Sequence, residues 1–256
     1  MIKIAKSQYY YQSRKDDKAV IEALLEIAGQ HPSYGFRKLY AYIRRRGQTW
    51  NHKRVYRVYK LLKLNKKRRT KRRIPARIKK KLEQQPDINM SWSMDFMSDS
   101  LTDGRKLRTL NIIDDYNREA LAIEIDTSLC AKRVIRTLEQ IISWRGKPKV
   151  IRVDNGPEYT SKDLEMWAVT EGVSLQHIQP GKPMQNGYIE RFNGSYRREV
   201  LDAYVFDSLD EVRMITQEWL EEYNNNRPHE SLQNHTPMEW KNILIKAKYS
   251  TFELSE

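Results

Sequence analysis

Three acidic residues stand where phosphodiester chemistry would need them. Asp154 closes Ile151-Arg-Val-Asp154 and precedes Asn-Gly-Pro-Glu-Tyr159. Glu190 follows after 35 intervening residues, within Gln185-Asn-Gly-Tyr-Ile-Glu190-Arg-Phe-Asn-Gly194. Asp95 lies upstream in Trp92-Ser-Met-Asp95-Phe-Met97. Phosphodiester cleavage and transfer pass through a highly charged transition state. Two Mg²⁺ ions about 3.5–4 Å apart can hold its attacking and leaving oxygens. Mg²⁺ prefers hard oxygen ligands and keeps some water, so a few carboxylates suffice. Chemistry of this kind cuts and joins DNA.

Taken singly, each residue has a plainer reading. Asp95 would serve as a solvent-facing strand residue or a cap. Asp154 stands before Asn155-Gly156, a turn sequence, and would serve as a turn aspartate. Glu190 would serve as half of a surface charge pair with a neighbouring arginine. Arg197, seven residues after Glu190, falls on the same helix face two turns on, where it would hold a DNA phosphate or simply be solvated. Lys182 and Gln185 lie in the Gly/Pro loop that enters the Glu190 helix, a segment suited to shaping a substrate path.

The elements that must position these groups are legible from periodicity. Ser91 to Met97 alternates, with Trp92, Met94 and Phe96 on one face and Ser93 and Asp95 on the other. Strands follow at Leu107–Ile113 and Leu121–Ile125, then a helix over Ala131–Trp144 and a strand over Val150–Val153. Next come a helix over Lys162–Thr170, a strand over Ser174–Ile178, and helices over Tyr188–Leu201 and Leu209–Asn224. Asp95 then sits on a strand, Asp154 past a strand end and Glu190 on a helix. Three consecutive strands, then helix, strand, helix, strand, helix, is the element order of an RNase H-like α/β core: a mixed five-stranded sheet with flanking helices.

Ahead of this core, Asp17–Ala28, Phe36–Arg46 and His52–Leu64 read as three short helices. Gly47 stops the second and Asn51 caps the third. They suggest a small all-helical, helix-turn-helix-like DNA-binding domain. Lys53, Arg54, Arg57 and Lys60 fall outside the third helix's apolar stripe, as DNA-contacting residues or as a solvated face. Asn65–Lys81 reads as an extended, self-repelling basic linker with Lys66, Lys67, Arg68, Arg69, Lys71, Arg72 and Arg73 as further DNA-contacting candidates. The expected domains are residues 1–64 (helical), 65–86 (linker), 87–205 (catalytic core) and 206–256 (a C-terminal helical extension).

The charge distribution supports this division. Of 47 Lys and Arg, 21 fall between Arg37 and Lys81, a stretch with no acid, which leaves 26 basic against 33 acidic residues elsewhere. A neutral-to-acidic body thus carries one strongly basic segment, which attracts phosphate backbones through counterion release. The single cysteine, Cys130, excludes an internal disulfide and any Cys-rich zinc site, and fits a reducing cytoplasm. His229 and His235 alone make a poor zinc module. No secretory apolar core and no run of 18 apolar residues occurs, so no membrane partner is expected.

The three acidic motifs, together with Arg197, resemble the OrfB-type DDE transposases of the IS-three insertion-sequence family, whose catalytic domain is similar to retroviral integrase. The upstream stretch His31-Pro-Ser-Tyr-Gly-Phe-Arg-Lys-Leu and the tail Tyr223-Asn-Asn-Asn-Arg-Pro-His229 through Thr236-Pro237 resemble that family as well. The resemblance implies an acidic triad of Asp95, Asp154 and Glu190 holding Mg²⁺, with Mn²⁺ as a substitute and two ions in all. It implies 3′-end cleavage at element ends, strand transfer into target DNA by the freed 3′-OH, a circular intermediate, a homo-oligomer on DNA and a place at the nucleoid. The family's full transposase usually fuses an upstream helix-turn-helix and leucine zipper to this part by frameshifting. No sustained heptad repeat occurs here, so a protein from the upstream frame is an expected partner. Two other functions share these features: a non-catalytic DNA-binding regulator of a full-length fusion, and a nuclease that hydrolyses without joining.

Overall fold

The computed structural model describes residue 10 and residues 16–65, 85–154, 156, 159–178 and 186–253, with side chains up to residue 247. It divides into two compact units, Met1–Arg72 and Arg73–Glu256. No helix among the described residues is long and apolar enough to cross a membrane.

The first unit holds α1 (Lys18–Gln30), α2 (Phe36–Arg45) and α3 (His52–Leu61). Val20, Leu24 and Ile27 of α1 meet Leu39 and Ile43 of α2 and Val55, Val58 and Tyr59 of α3 in one buried core. These are the stripes that the 3.6-residue period marks. Asn51 caps α3 by accepting from the Lys53 backbone N–H at 2.8 Å. Gly47, at φ +81°, ends α2: its N–H donates to Arg44, and the Gln48 N–H donates to Ile43. α3 stops three residues earlier than its apolar pattern suggests, by the same device. Lys63 stands at φ +55° and donates to Lys60, while Leu64 donates to Tyr59. Glycine is the usual occupant of that left-handed position, so a lysine there leaves no stop signal in the sequence.

The second unit is built on β1 (Ser91–Ser100), β2 (Lys106–Asp114), β3 (Ala120–Asp126), β4 (Val150–Val153) and β5 (Ser174–His177), in the sheet order β3-β2-β1-β4-β5. β1, β2 and β3 run antiparallel; β4 and β5 join β1 in parallel. The helices are α4 (Ala131–Arg145), α5 (Lys162–Glu171), α6 (Gly187–Tyr196), α7 (Leu209–Glu221) and α8 (Pro237–Glu253). Trp92, Met94, Leu110, Ile112, Ile151 and Val153 bury one sheet face under Val134, Leu138 and Ile141 of α4 and Leu164 and Trp167 of α5. On the other face, Leu107, Ile113 and Ile125 pack with Ile189, Phe192 and Tyr196 of α6 and Val212 of α7. Phe192 meets Trp219 at 5.5 Å and Tyr223 at 5.0 Å, both edge-on. Aromatic pairs of this kind add about 0.5–1.5 kcal/mol each beyond area burial, and these fasten α6 to the C-terminal helices.

In the second unit, two helices change type where the sequence expectation continues them. The span read as one helix over Tyr188–Leu201 is α-helical to Tyr196 and continues as a π-helical turn, Arg197–Leu201. The helix read as far as Asn224 is α-helical to Glu221, with a π-helical turn over Glu222–Asn226. Apolar periodicity does not report a change from i+4 to i+5 bonding. The π turn serves packing at its second site: Asn224 pairs through its side-chain amide with both backbone groups of Ala120, at 2.9 Å each, at the start of edge strand β3. α8 opens on a capping box. Thr236 accepts from the Glu239 N–H at 3.1 Å, and Glu239 accepts from the Thr236 N–H at 2.9 Å.

Candidate active site

Strand alternation turns Ser93 and Asp95 away from the Trp92–Met94 core and toward α6. β1 and β4 pair in parallel from Ser91–Val150 to Ser93–Arg152. Counting on in that register aligns Asp95 with Asp154, where the two strands part. The chain leaves β1 toward β2 on one side, and β4 lies on the other. Asp154 thus follows the carboxyl end of β4 beside mid-strand Asp95, at the point where sheet order reverses, the usual ligand position in open α/β sheets. Glu190 stands in the first turn of α6, which packs on this face.

Asp95 is half-buried, and each of its oxygens is bonded. Oδ1 accepts from the Phe96 N–H at 2.8 Å and Oδ2 accepts from Asn193 Nδ2 at 2.8 Å. Burial, then the charge of Asp154 and, more weakly, that of Glu190 push the Asp95 carboxyl up to about 6 against these two stabilising bonds. The three acids thus share one electrostatic neighbourhood. Among the described residues, no three His, Cys, Asp or Glu side chains stand close enough together to hold one ion. The donor set nonetheless suits Mg²⁺: hard carboxylate oxygens, mutually repelling, whose strain a divalent cation relieves. Asp154 forms an Asx-type turn, with Oδ1 accepting from the Gly156 N–H at 2.8 Å. Its carbonyl oxygen lies 3.2 Å from His177 Nδ1 on β5. Glu190 is exposed.

Asn193 escaped the sequence reading. It sits three residues after Glu190, hence on the same helix face, and that spacing was the available signal. Asn111 of β2, the register partner of Asp95, donates to Asn193 Oδ1 at 2.7 Å. This bond fixes the Asn193 amide so that its N–H₂ group points at Asp95.

The expected basic residues divide. Arg197 donates to the Ser98 carbonyl at 2.8 Å and faces Asp99 at 3.4 Å and Asp202 at 3.7 Å. It ties the end of α6 to the far part of β1. Arg54 and Arg57 converge on Asp17, at 3.0 and 2.5 Å, and Arg54 also donates to the Asp16 carbonyl. Lys60 lies over the Tyr56 ring at 4.9 Å. Lys53 is exposed and lines an open groove with Asp16, Asn51, Arg54 and Arg57. Lys66, Lys67, Arg68, Arg69, Lys71, Arg72, Arg73 and Lys182 lie outside the described residues.

The mixed five-stranded sheet with its flanking helices and the separate helical unit define an integrase-type core accompanied by a helix-turn-helix-like module. Residues 86–183 and 171–237 match two integrase core domain families, and residues 15–72 match an HTH-like domain. The chain is 37% identical over 242 residues to the insertion element IS407 uncharacterized 31.7 kDa protein of Burkholderia multivorans, covering 94% of this chain and 87% of the relative. It is 25% identical over 243 residues to the transposase InsD for insertion element IS2D of Escherichia coli K12, covering 88% and 79%. A chain of the cryo-EM structure of the simian T-cell lymphotropic virus intasome with PP2A regulatory subunit B56 gamma superposes with a TM-score of 0.52 at 14% identity. That match covers 85% of this chain and 74% of the other, and shares the fold. The chain belongs to the integrase-core transposases of bacterial insertion elements, of the OrfB type of the IS-three family.

Proposed function

We propose that this chain cleaves DNA at the 3′ ends of its insertion element and joins the freed 3′-OH to target DNA, with Asp95, Asp154 and Glu190 as the acidic triad. One observation carries the reading: the charges of Asp154 and Glu190 both bear on the half-buried Asp95, from a strand end and a helix respectively. Like charges that bear on a half-buried carboxylate cost free energy, which a bound divalent cation would offset. The three would hold Mg²⁺, or Mn²⁺ in its place. Two such ions would supply charge neutralisation at the phosphate and an activated attacking oxygen.

The protein's own residues supply the rest. Asn193 and the Phe96 N–H orient the Asp95 carboxylate. The Asx turn orients Asp154. Lys53 and Lys60 of α3 and the basic run from Lys66 to Arg73 bind DNA phosphates, Lys182 shapes the substrate path, and Arg54 and Arg57 join the contact once Asp17 yields. Arg197 holds the end of β1 and lends its charge to the DNA path. A homo-oligomer that brings two element ends together, and a protein from the upstream frame, complete the assembly in the bacterial cytoplasm.

The test is full-length protein with oligonucleotides that carry the element ends, in Mg²⁺. Nicked and joined products are expected from the wild type. Asp154→Asn should yield neither; joining by that variant sinks the proposal. Hydrolysis without joining by the wild type would favour a plain nuclease.

A further inference from the structure

The turn between β2 and β3 is buried and charged, and the triad does not use it. Asp115 has no exposed side-chain surface, and Ser93 is equally buried. Its Oδ1 accepts from Ser93 Oγ at 2.6 Å and its Oδ2 from Ser91 Oγ at 2.8 Å, so both oxygens grip β1. The Asp115 N–H donates to the Ser91 carbonyl at 2.9 Å. Arg152 of β4 reaches Asp115 Oδ2 at 3.2 Å. Three residues on, Arg118 stands over the Tyr188 ring of α6, its Cζ 3.4 Å from the centroid.

The spacing of these grips follows that of the acids. Ser93 is two residues before Asp95 on the same strand face. Arg152 is two residues before Asp154 in the neighbouring strand, and Tyr188 lies in the same first turn of α6 as Glu190. The register pairs Ser93 with Arg152, so Asp115 sits under the seam between the two strands that carry the aspartates. A buried carboxylate with two hydroxyl donors and an arginine is fully satisfied, and such a group resists displacement. Apolar packing would hold β1 beside β4 as well. It would not specify their register to a fraction of an ångström, as directional bonds do.

We propose that Asp115, with Arg152 and Arg118, is a positioning hub that sets the relative placement of Asp95, Asp154 and Glu190 from beneath, and so sets the affinity of the site for divalent cations. The inference rests on the triad reading. Groups hydrogen-bonded directly to metal ligands typically alter metal affinity by about 10–100-fold when removed, and Asp115, one step further out, should act at the low end of that range.

The experiment is calorimetric titration of the full chain with Mn²⁺, beside melting temperature and the strand-joining assay, for wild type, Asp154→Asn, Asp115→Asn and Ser93→Ala. Mn²⁺ binding by the wild type is expected, lost in Asp154→Asn and weakened about tenfold in Asp115→Asn. The Mn²⁺ concentration for half-maximal joining should rise in step. Ser93→Ala removes one bond to Asp115 and no charge, and should weaken binding about threefold in the same direction. It decides the matter if Asp115→Asn does not fold. Wild-type Mn²⁺ affinity in a folded Asp115→Asn, or in Ser93→Ala should the former unfold, overturns the hub whether or not DNA is joined. Loss of Mn²⁺ binding and joining in the wild type itself overturns the triad reading and the hub with it. Binding without joining overturns the proposed reaction alone.

Discussion

Asn193 donates to Asp95 at 2.8 Å while accepting from Asn111 at 2.7 Å. The two bonds make Asn193 a one-way link. Its carbonyl is used up by β2, so only its amide nitrogen faces the carboxylate. Asp95 is thereby offered a donor that favours its ionised form.

Asn193→Asp should be more damaging than Asn193→Ala. The aspartate is nearly isosteric but sets a second carboxylate against Asp95, whereas alanine only removes a bond. Single-turnover cleavage of element-end DNA should fall about tenfold for alanine and about a hundredfold for aspartate, on the scale of outer-shell losses at metal sites. Equal rates for the two variants would mean that the amide's direction does not matter.

Asp95→Asn should inactivate the protein and stabilise it. Burial and the charges of Asp154 and Glu190 raise the Asp95 carboxyl from 3.8 to about 6. The folded state therefore binds the proton more tightly than the unfolded chain. Its favourable contribution is fully present below pH about 4 and is lost as pH rises through 6. Removing the charge should relieve a penalty on the order of 3 kcal/mol at pH 7.5 without metal. The melting temperature of Asp95→Asn should exceed wild type at pH 7.5 in EDTA and match it near pH 3.8. Saturating Mg²⁺ should shrink the difference by stabilising only the wild type.

Asp17→Asn should tighten DNA binding. The Arg57 and then the Arg54 guanidinium hold the Asp17 carboxyl below its ordinary range, so it stays ionised and neutralises cations on α3. Releasing them should raise affinity for duplex DNA about three- to tenfold at low salt and steepen the plot of log affinity against log salt by about one. An unchanged slope would place those arginines away from DNA.

Arg145→Met should cripple folding. Arg145 is buried between Asp114, at 3.1 Å, and Glu119, at 2.5 Å. Asp114 is also held by the Asn89 and Tyr116 N–H groups at 2.9 Å. Removal strands two buried carboxylates and should cost about 3–5 kcal/mol by urea denaturation. Lys241, 3.4 Å from Glu119, offsets part of that loss.

Much of this protein is legible in its sequence. The alternation of Trp92, Met94 and Phe96 against Ser93 and Asp95 set β1's two faces, because side-chain direction in a strand has a period of two. Asn51, Gly47 and the 3.6-residue stripes marked helices because capping and amphipathicity are local. The three acids stood out because their settings at a strand, a strand end and a helix are themselves sequence patterns. What failed locally was the unannounced stop at Lys63, where a lysine takes the left-handed backbone that glycine usually signals, and the π turns, whose i+5 bonding leaves no periodic mark.

Only the tertiary structure decided who holds the acids. Asn111 is 82 residues from Asn193, and Asn193 is 98 from Asp95. Asp115 meets β1 across 22 and 24 residues. Polar partners at such separations carry no periodicity and no local energy. They are selected by which strands the sheet order brings side by side, and that order is fixed by packing on both faces at once. The sequence alone thus determined which groups are available for chemistry, and the fold determined which way each one points.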